Sequence, residues 1–302
     1  MNISLNNSKT VAVTGASGLL GRHLCNYFNK KGWQVHALVR NVSGTSFKQK
    51  GITVYRCDLP EVINHESIEN MDVLIHCAYM TRFTDIERAK KVNEEGAKKL
   101  YEAAKELGVK QFVFVSSWAA RSSAKSYYAL SKYKLEKMLD LKKDLVIRPG
   151  LILASDGGLF NRIVNPILKL PVIPAFDGGR QKMNTVHVND LCRVFEWAVR
   201  NKLTGIISVA ESESIEMIEL YRSVLRELGQ KKVILPVPGK PFVLLLQLLE
   251  LLKLKLPVSS ENLRGLLNRD NMDFHADERL QKSGIEIMSA HESIKALFSE
   301  LN

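Results

Sequence analysis

Thr14-Gly15-Ala16-Ser17-Gly18-Leu19-Leu20-Gly21 decides the reading of this chain. It follows a short apolar run, Val11-Ala12-Val13, that predicts a buried strand, and it opens into His23 to Phe28, which predicts a helix. A Gly-rich turn between a first strand and a first helix has a physical use. Gly15 permits the tight turn, Gly18 removes the side chain that would hold a pyrophosphate away, and Gly21 lets the helix pack closely on the sheet. Unpaired N–H groups at the helix start then face the phosphates. Three glycines at this spacing predict a dinucleotide site, whereas a structural turn explains only one of them.

A second constellation says what such a cofactor would do. Tyr128 and Lys132, in Tyr-Ala-Leu-Ser-Lys, stand four apart in a predicted helix and share a face. A free tyrosine, with a pKa of about 10, is a poor proton donor and acceptor near neutrality. An adjacent ammonium favours the phenolate, so Tyr128 is expected to act as general acid/base at a carbonyl or alcohol. A decoy lies just beyond, Tyr133 to Lys137, rotated off that face. The Tyr128 pair is preferred because the predicted strand Phe112 to Val115 runs out into Ser116-Ser117 shortly before it. Ser117, with Ser116 as the alternative, is placed to bind the substrate oxygen.

These residues resemble the extended branch of the short-chain dehydrogenase/reductase family, with its TGxxGxxG turn, its serine after the fifth strand and its YxxxK. The resemblance implies a cofactor site made of Gly15, Ser17, Gly18, Leu19, Leu20 and Gly21. Further along it implies Asp58 and Leu59 after the third strand, Cys77, Ala78 and Tyr79 after the fourth, and Asn93 in the following helix. Ser116, Tyr128, Lys132, Pro149 and Gly150 would complete that site. It also implies catalysis by Ser117, Tyr128 and Lys132, a small-molecule substrate such as a nucleotide-linked sugar, and dimerisation through a helix pair. Two departures lie on the substrate side. Trp118 to Arg121 replaces a Tyr-Gly pair common in that branch, and Met183 stands where many sugar-nucleotide epimerases carry arginine. A dehydratase is disfavoured, since Trp118-Ala119 offers no acid beside the serine.

The second strand, Val35 to Val39, ends in Arg40 and carries no acidic residue to accept hydrogen bonds from a ribose diol. Arginine there predicts NADP rather than NAD, with NAD still possible, and Arg22 adds a second positive charge.

Alternating strands and helices up to Gly150 predict an α/β fold: a Rossmann-type doubly wound parallel sheet with a smaller, mostly helical C-terminal lobe. The expected division is 1–157 plus about 184–210 for the dinucleotide-binding domain, and 158–183 plus 211–302 for the lobe. The clearest predicted helix runs from Asp85 to Leu107, opened by a capping box at Thr84 and Glu87. At 302 residues, 45% of them hydrophobic, the chain has the material for a large core. A polar Met1 to Thr10 lacks the apolar stretch of a signal peptide, and four scattered cysteines suit a reducing, cytoplasmic compartment. No His or Cys cluster at ligand spacing predicts a metal. The net charge of +11 comes from dispersed lysines, which argues for a solvated basic surface attracting an anionic cofactor rather than for nucleic acid. The Leu-rich stretch at 242–256 is too short to span a bilayer. It is expected to pack in the lobe or at a subunit interface, with membrane contact the lesser reading.

The first expectation is an NADP-dependent reductase or epimerase of a nucleotide-linked sugar; the alternatives are a reductase of small or sterol-like carbonyls and a non-catalytic NADP-binding sensor or assembly protein. An intact Ser, Tyr and Lys argue against the last.

Overall fold

The computed structural model describes residues 8–252, 260, 267 and 277–299. The chain forms two compact units. The first comprises Met1–Ser122, Ser131–Arg148 and Cys192–Ile207, and the second comprises Ser123–Leu130, Pro149–Leu191 and Ser208–Asn302.

Short, wholly apolar runs bounded by turns make buried parallel strands. β1 (Thr10–Thr14), β2 (Gln34–Val39), β3 (Ile52–Asp58), β4 (Val62–Ile63), β5 (Val73–His76), β6 (Phe112–Val115), β7 (Leu145–Pro149) and β12 (Gly205–Val209) form one sheet. Its order is β12-β7-β6-β5-β1-β2-β3-β4. The pairings β1 with β2 and β5, β2 with β3, and β6 with β5 and β7 are parallel, and β4 is antiparallel on β3. The strand order reverses at β1, whose neighbours are β2 and β5, and that switch point is where open α/β sheets bind ligands. The expected doubly wound sheet is therefore observed.

α1 (Leu19–Lys30) begins directly behind the Gly-rich turn, and α4 (Tyr127–Met138) carries the Tyr-Lys pair. The predicted helix 85–107 is three pieces: α2 (Ile86–Lys90), a π-helical turn (Lys91–Glu95) and α3 (Gly96–Glu106). Its cap is Asp85, whose carboxylate accepts from the Glu87 and Arg88 N–H groups, and not the Thr84 box. A carboxylate reaches two first-turn donors and complements the helix dipole, which a threonine hydroxyl does not.

In the second unit, β8 (Leu151–Leu153) pairs with β11 (Thr185–His187), β9 (Val172–Phe176) with β14 (Val233–Val237), and β10 (Lys182–Met183) with β13 (Ile215–Glu216). Its helices include α5 (Gly158–Lys169), α6 (Val188–Arg200, which crosses into the first unit), α7 (Met217–Glu227) and α8 (Gly239–Leu251). The last described helix is Ala290–Ser299. One core gathers Phe160, Leu220, Val224 and Ile294. Buried Glu211 ties this unit together: its carboxylate accepts from Thr185 Oγ1 and the Ala290 N–H, both at 2.7 Å.

Candidate active site

The Gly-rich turn is as tight as its sequence demands. Gly15 has φ of +63°, and a Cβ there would meet the backbone of Ala78 at 2.8 Å. A Cβ on Gly21 would stand 2.3 Å from the Gly15 carbonyl oxygen. Gly21 therefore lets α1 close on the turn itself rather than on the sheet at large. Gly18 is the N-cap of α1 and supplies no side-chain cap, and the first turn carries no acid. Its N–H groups are left to an external anion. Ser17 and Gly18 are exposed, Leu19 is half-buried and Leu20 is buried.

The exit of β5 is fastened to this turn. Thr14 Oγ1 accepts from the Ala78 N–H at 3.2 Å and hydrogen-bonds His76 Nδ1 at 2.8 Å. Burial, with the Lys132 charge second, pushes His76 down to about 3, so its ring stays neutral at working pH. Cys77, Ala78 and Tyr79 follow, all half-buried. Asn93 is buried in the π-helical turn and grips Met80 twice, accepting from its N–H at 2.6 Å and donating to its carbonyl at 3.1 Å. The widened turn is what aims this side chain inward, and such π-turns recur at functional sites. Asn93 thus holds the β5 loop in place. Leu59 belongs to the core and packs on Gly96, while Asp58 is half-buried at the end of β3.

A cavity of about 590 Å³ opens beyond the ends of β2 and β3. Arg22, Arg40 and Arg88 line it with Ser17, Ser43, Thr45 and Ser46, and Asp58 is its one acid. Sequence reasoning had named Arg40 and Arg22. Arg88 was missed because it comes from α2, far along the chain.

Lys132 is 3% exposed and donates to the Val115 carbonyl at 2.6 Å. Its Nζ also lies 4.2 Å from the Tyr79 ring centroid and 4.6 Å from that of Phe114, as a cation against two aromatic faces. The decoy differs. Lys137 is exposed, its Nζ 5.4 Å from the Tyr133 ring centroid. Tyr128 is half-buried in the first turn of α4, one turn before Lys132.

The two serines have different jobs. Ser116 is buried and donates its hydroxyl to Glu136 Oε1. Ser117 is half-buried, and its Oγ accepts from the Ala119 N–H at 3.2 Å. Glu136 lies one turn beyond Lys132, is 2% exposed, and is held by Arg148 at both oxygens, Nε at 2.8 Å to Oε1 and Nη2 to Oε2. That carboxylate locks the end of β6 to α4 and β7, and sequence reasoning missed it. The available signal was the i, i+4 spacing from Lys132. Pro149 is buried at the end of β7, and a Cβ on Gly150 would meet the Asn184 carbonyl at 2.3 Å.

Burial pushes the Lys132 ammonium down to about 7, against smaller pulls upward from Cys77 and Glu136. Between about pH 7 and 10 the unfolded chain then holds a proton that the folded chain has released. This lysine's contribution to stability is expected to rise with pH across that window and to be lost as pH falls through 7. Urea midpoints of the cofactor-free protein and of Lys132→Met, followed over that range, check it. Parallel curves would exclude the depressed value.

The family profile of the NAD dependent epimerase/dehydratase family matches residues 11–210. The chain belongs to this family. It is therefore an enzyme of the NAD(P)-dependent oxidoreductase and epimerase class. A ceramide reductase of Caulobacter vibrioides is 28% identical over 238 residues, covering 76% of this chain and 74% of that protein. A dTDP-4-dehydro-6-deoxy-D-allose reductase of Streptomyces bikiniensis is 24% identical over 282 residues, covering 77% and 85%. Among solved structures, Bordetella bronchiseptica WbmH in complex with NAD+ has a TM-score of 0.72 at 16% identity, covering 97% of each chain. That likeness carries the fold alone. All four cysteines are free thiols, and among the described residues no group of His, Cys, Asp or Glu is placed to hold a metal.

Proposed function

We propose that this enzyme is an NADPH-dependent reductase acting on a ketone. The three-arginine cavity beyond β2 carries the reading. A 2′-phosphate on the adenosine ribose would sit in the cavity that Arg22, Arg40 and Arg88 line, where hydroxyls of Ser43 and Ser46 can donate. The Gly-rich turn suits the rest of the dinucleotide, since it brings the start of α1, which has no side-chain cap and no acid in its first turn, to where a pyrophosphate would lie. Bound there, the cofactor supplies the hydride. Tyr128 donates the proton to the carbonyl oxygen, Ser117 hydrogen-bonds that oxygen, and Lys132 tunes Tyr128 and holds the ribose. Ser116 is unsuited to the substrate role because its one proton is committed to Glu136.

For the substrate we take a ketone on an apolar body as the first reading. The ceramide reductase relative and the exposed leucines of α8 support it. A nucleotide-linked sugar is the second reading, supported by the deoxyallose reductase relative and by a basic chain that would attract a diphosphate. A thermal-shift screen of both classes with saturating NADPH separates them, because the true substrate raises the melting temperature by mass action.

Cofactor choice has its own test. A charge-assisted phosphate contact contributes about 1.5–3 kcal/mol, so Arg40→Ala is expected to weaken NADPH binding about ten- to a hundredfold and leave NADH binding unchanged. Fluorescence titration of both cofactors measures this. Equal losses, or tighter NADH than NADPH binding in the unmodified protein, would overturn the assignment.

A further inference from the structure

α8 is apolar on two faces, and among the described residues only one is covered. Val243 and Leu246 are buried in a small cluster with Phe176, Phe242 and Leu267. On the other side Leu244, Leu248 and Leu251 are 66%, 58% and 79% exposed, flanked by Leu245 and Leu252 at 47% and 65%. At about 100° per residue these five leucines fall within one arc of roughly 120°. A helix that only packs into its own lobe carries polar residues on that side. The sequence around it is cationic: residues 231–255 hold five lysines and a single acid, Glu250, although Lys232 is engaged, donating to the Leu168 carbonyl at 2.8 Å. That acid is engaged locally, accepting from Ser260 N at 2.7 Å and Ser260 Oγ at 2.6 Å. Lys240 is exposed in the first turn of α8, and Lys253 and Lys255 follow its end in sequence.

We propose that α8 lies in the surface of an anionic bilayer, its leucines entering the acyl boundary and Lys240 of its first turn reaching the lipid phosphates. Apolar insertion and electrostatic attraction are the two terms that hold an interfacial helix, and this segment supplies both. A second copy of the chain fits worse, since a two-fold contact on this face would set lysines against lysines with one acid each to offset them. No described helix is long and apolar enough to cross a membrane, so the helix lies in the plane. As a route for delivering substrate this rests on the apolar-ketone reading above, whereas as a binding event it stands on the helix alone.

Co-sedimentation of the full chain with phosphatidylcholine vesicles, with and without phosphatidylglycerol, tests it. The protein should bind the anionic vesicles more tightly than the neutral ones, and added salt should weaken that binding. The triple variant Leu244→Gln, Leu248→Gln, Leu251→Gln changes only exposed positions and should lose at least about tenfold in vesicle affinity while binding NADPH normally. Equal partition of variant and parent overturns the proposal. So does a concentration-dependent dimer that the same variant abolishes while vesicle binding is absent. Reduction of a long-chain ketone from neutral detergent micelles is measured alongside, so that docking can fail while the substrate reading stands, or the reverse.

Discussion

Tyr128→Phe is expected to lower the rate of ketone reduction by about 10²–10⁴-fold, the usual worth of a positioned general acid, with NADPH affinity retained. The substitution keeps the ring and removes only the hydroxyl, so a loss of this size reads proton transfer rather than packing. Tyr133→Phe is the control. Its lysine partner is exposed, whereas Lys132 is buried against the Val115 carbonyl and two aromatic rings. In the oxidative direction the parent rate should rise with pH through an apparent pKa clearly below the 10 of free tyrosine. Lys132 itself is depressed to about 7 in the free protein, so the profile reports values of the coupled pair and not of either residue alone. Near-normal activity in Tyr128→Phe together with loss in Tyr133→Phe would reverse the assignment and take the Ser117 role with it.

The sheet was legible because its central strands are buried on both faces and therefore read as unbroken apolar runs, from Val11-Ala12-Val13 to Phe112-Val113-Phe114-Val115. The turn at residues 14–21 was legible because glycines there answer to backbone contacts that no other residue satisfies. What stayed hidden depends on long-range geometry. A π-turn changes hydrogen-bond register without disturbing the amphipathic pattern, so the aim of Asn93 at Met80 could not be foreseen. Arg88 joins the cavity only because the chain after β5 returns beside β2 and β3. Leucine content marked α8 as apolar but could not say which of its faces the fold covers. Val243 and Leu246 pack in the lobe while five leucines on the other side are exposed in the single chain, and residues 253–256 of that stretch lie outside the described residues.

Glu136→Ala should produce the largest loss of stability, about 3–5 kcal/mol, because it removes one partner of a buried pair. Arg148 would keep its charge with no carboxylate to accept its two hydrogen bonds, and the buried Ser116 hydroxyl would lose its acceptor. Catalysis should fall as well, by a different route. Glu136 touches neither substrate nor cofactor in the proposed arrangement, but it fastens α4 to the strand that ends in Ser116-Ser117. Its loss should lower kcat with little change in KM for NADPH. The double variant Glu136→Leu, Arg148→Met separates the contributions. Replacing both ions with apolar groups of similar size is often neutral for stability, so it should recover most of the folding loss while kcat stays low, because Ser116 is still unanchored. Tryptophan fluorescence follows the relevant unfolding, since Trp33, Trp118 and Trp197 all lie in the first unit. A Glu136→Ala variant within about 1 kcal/mol of the parent would mean that the pair contributes no more than an exposed one. Full activity in the double variant would show that Ser117 needs no such anchor.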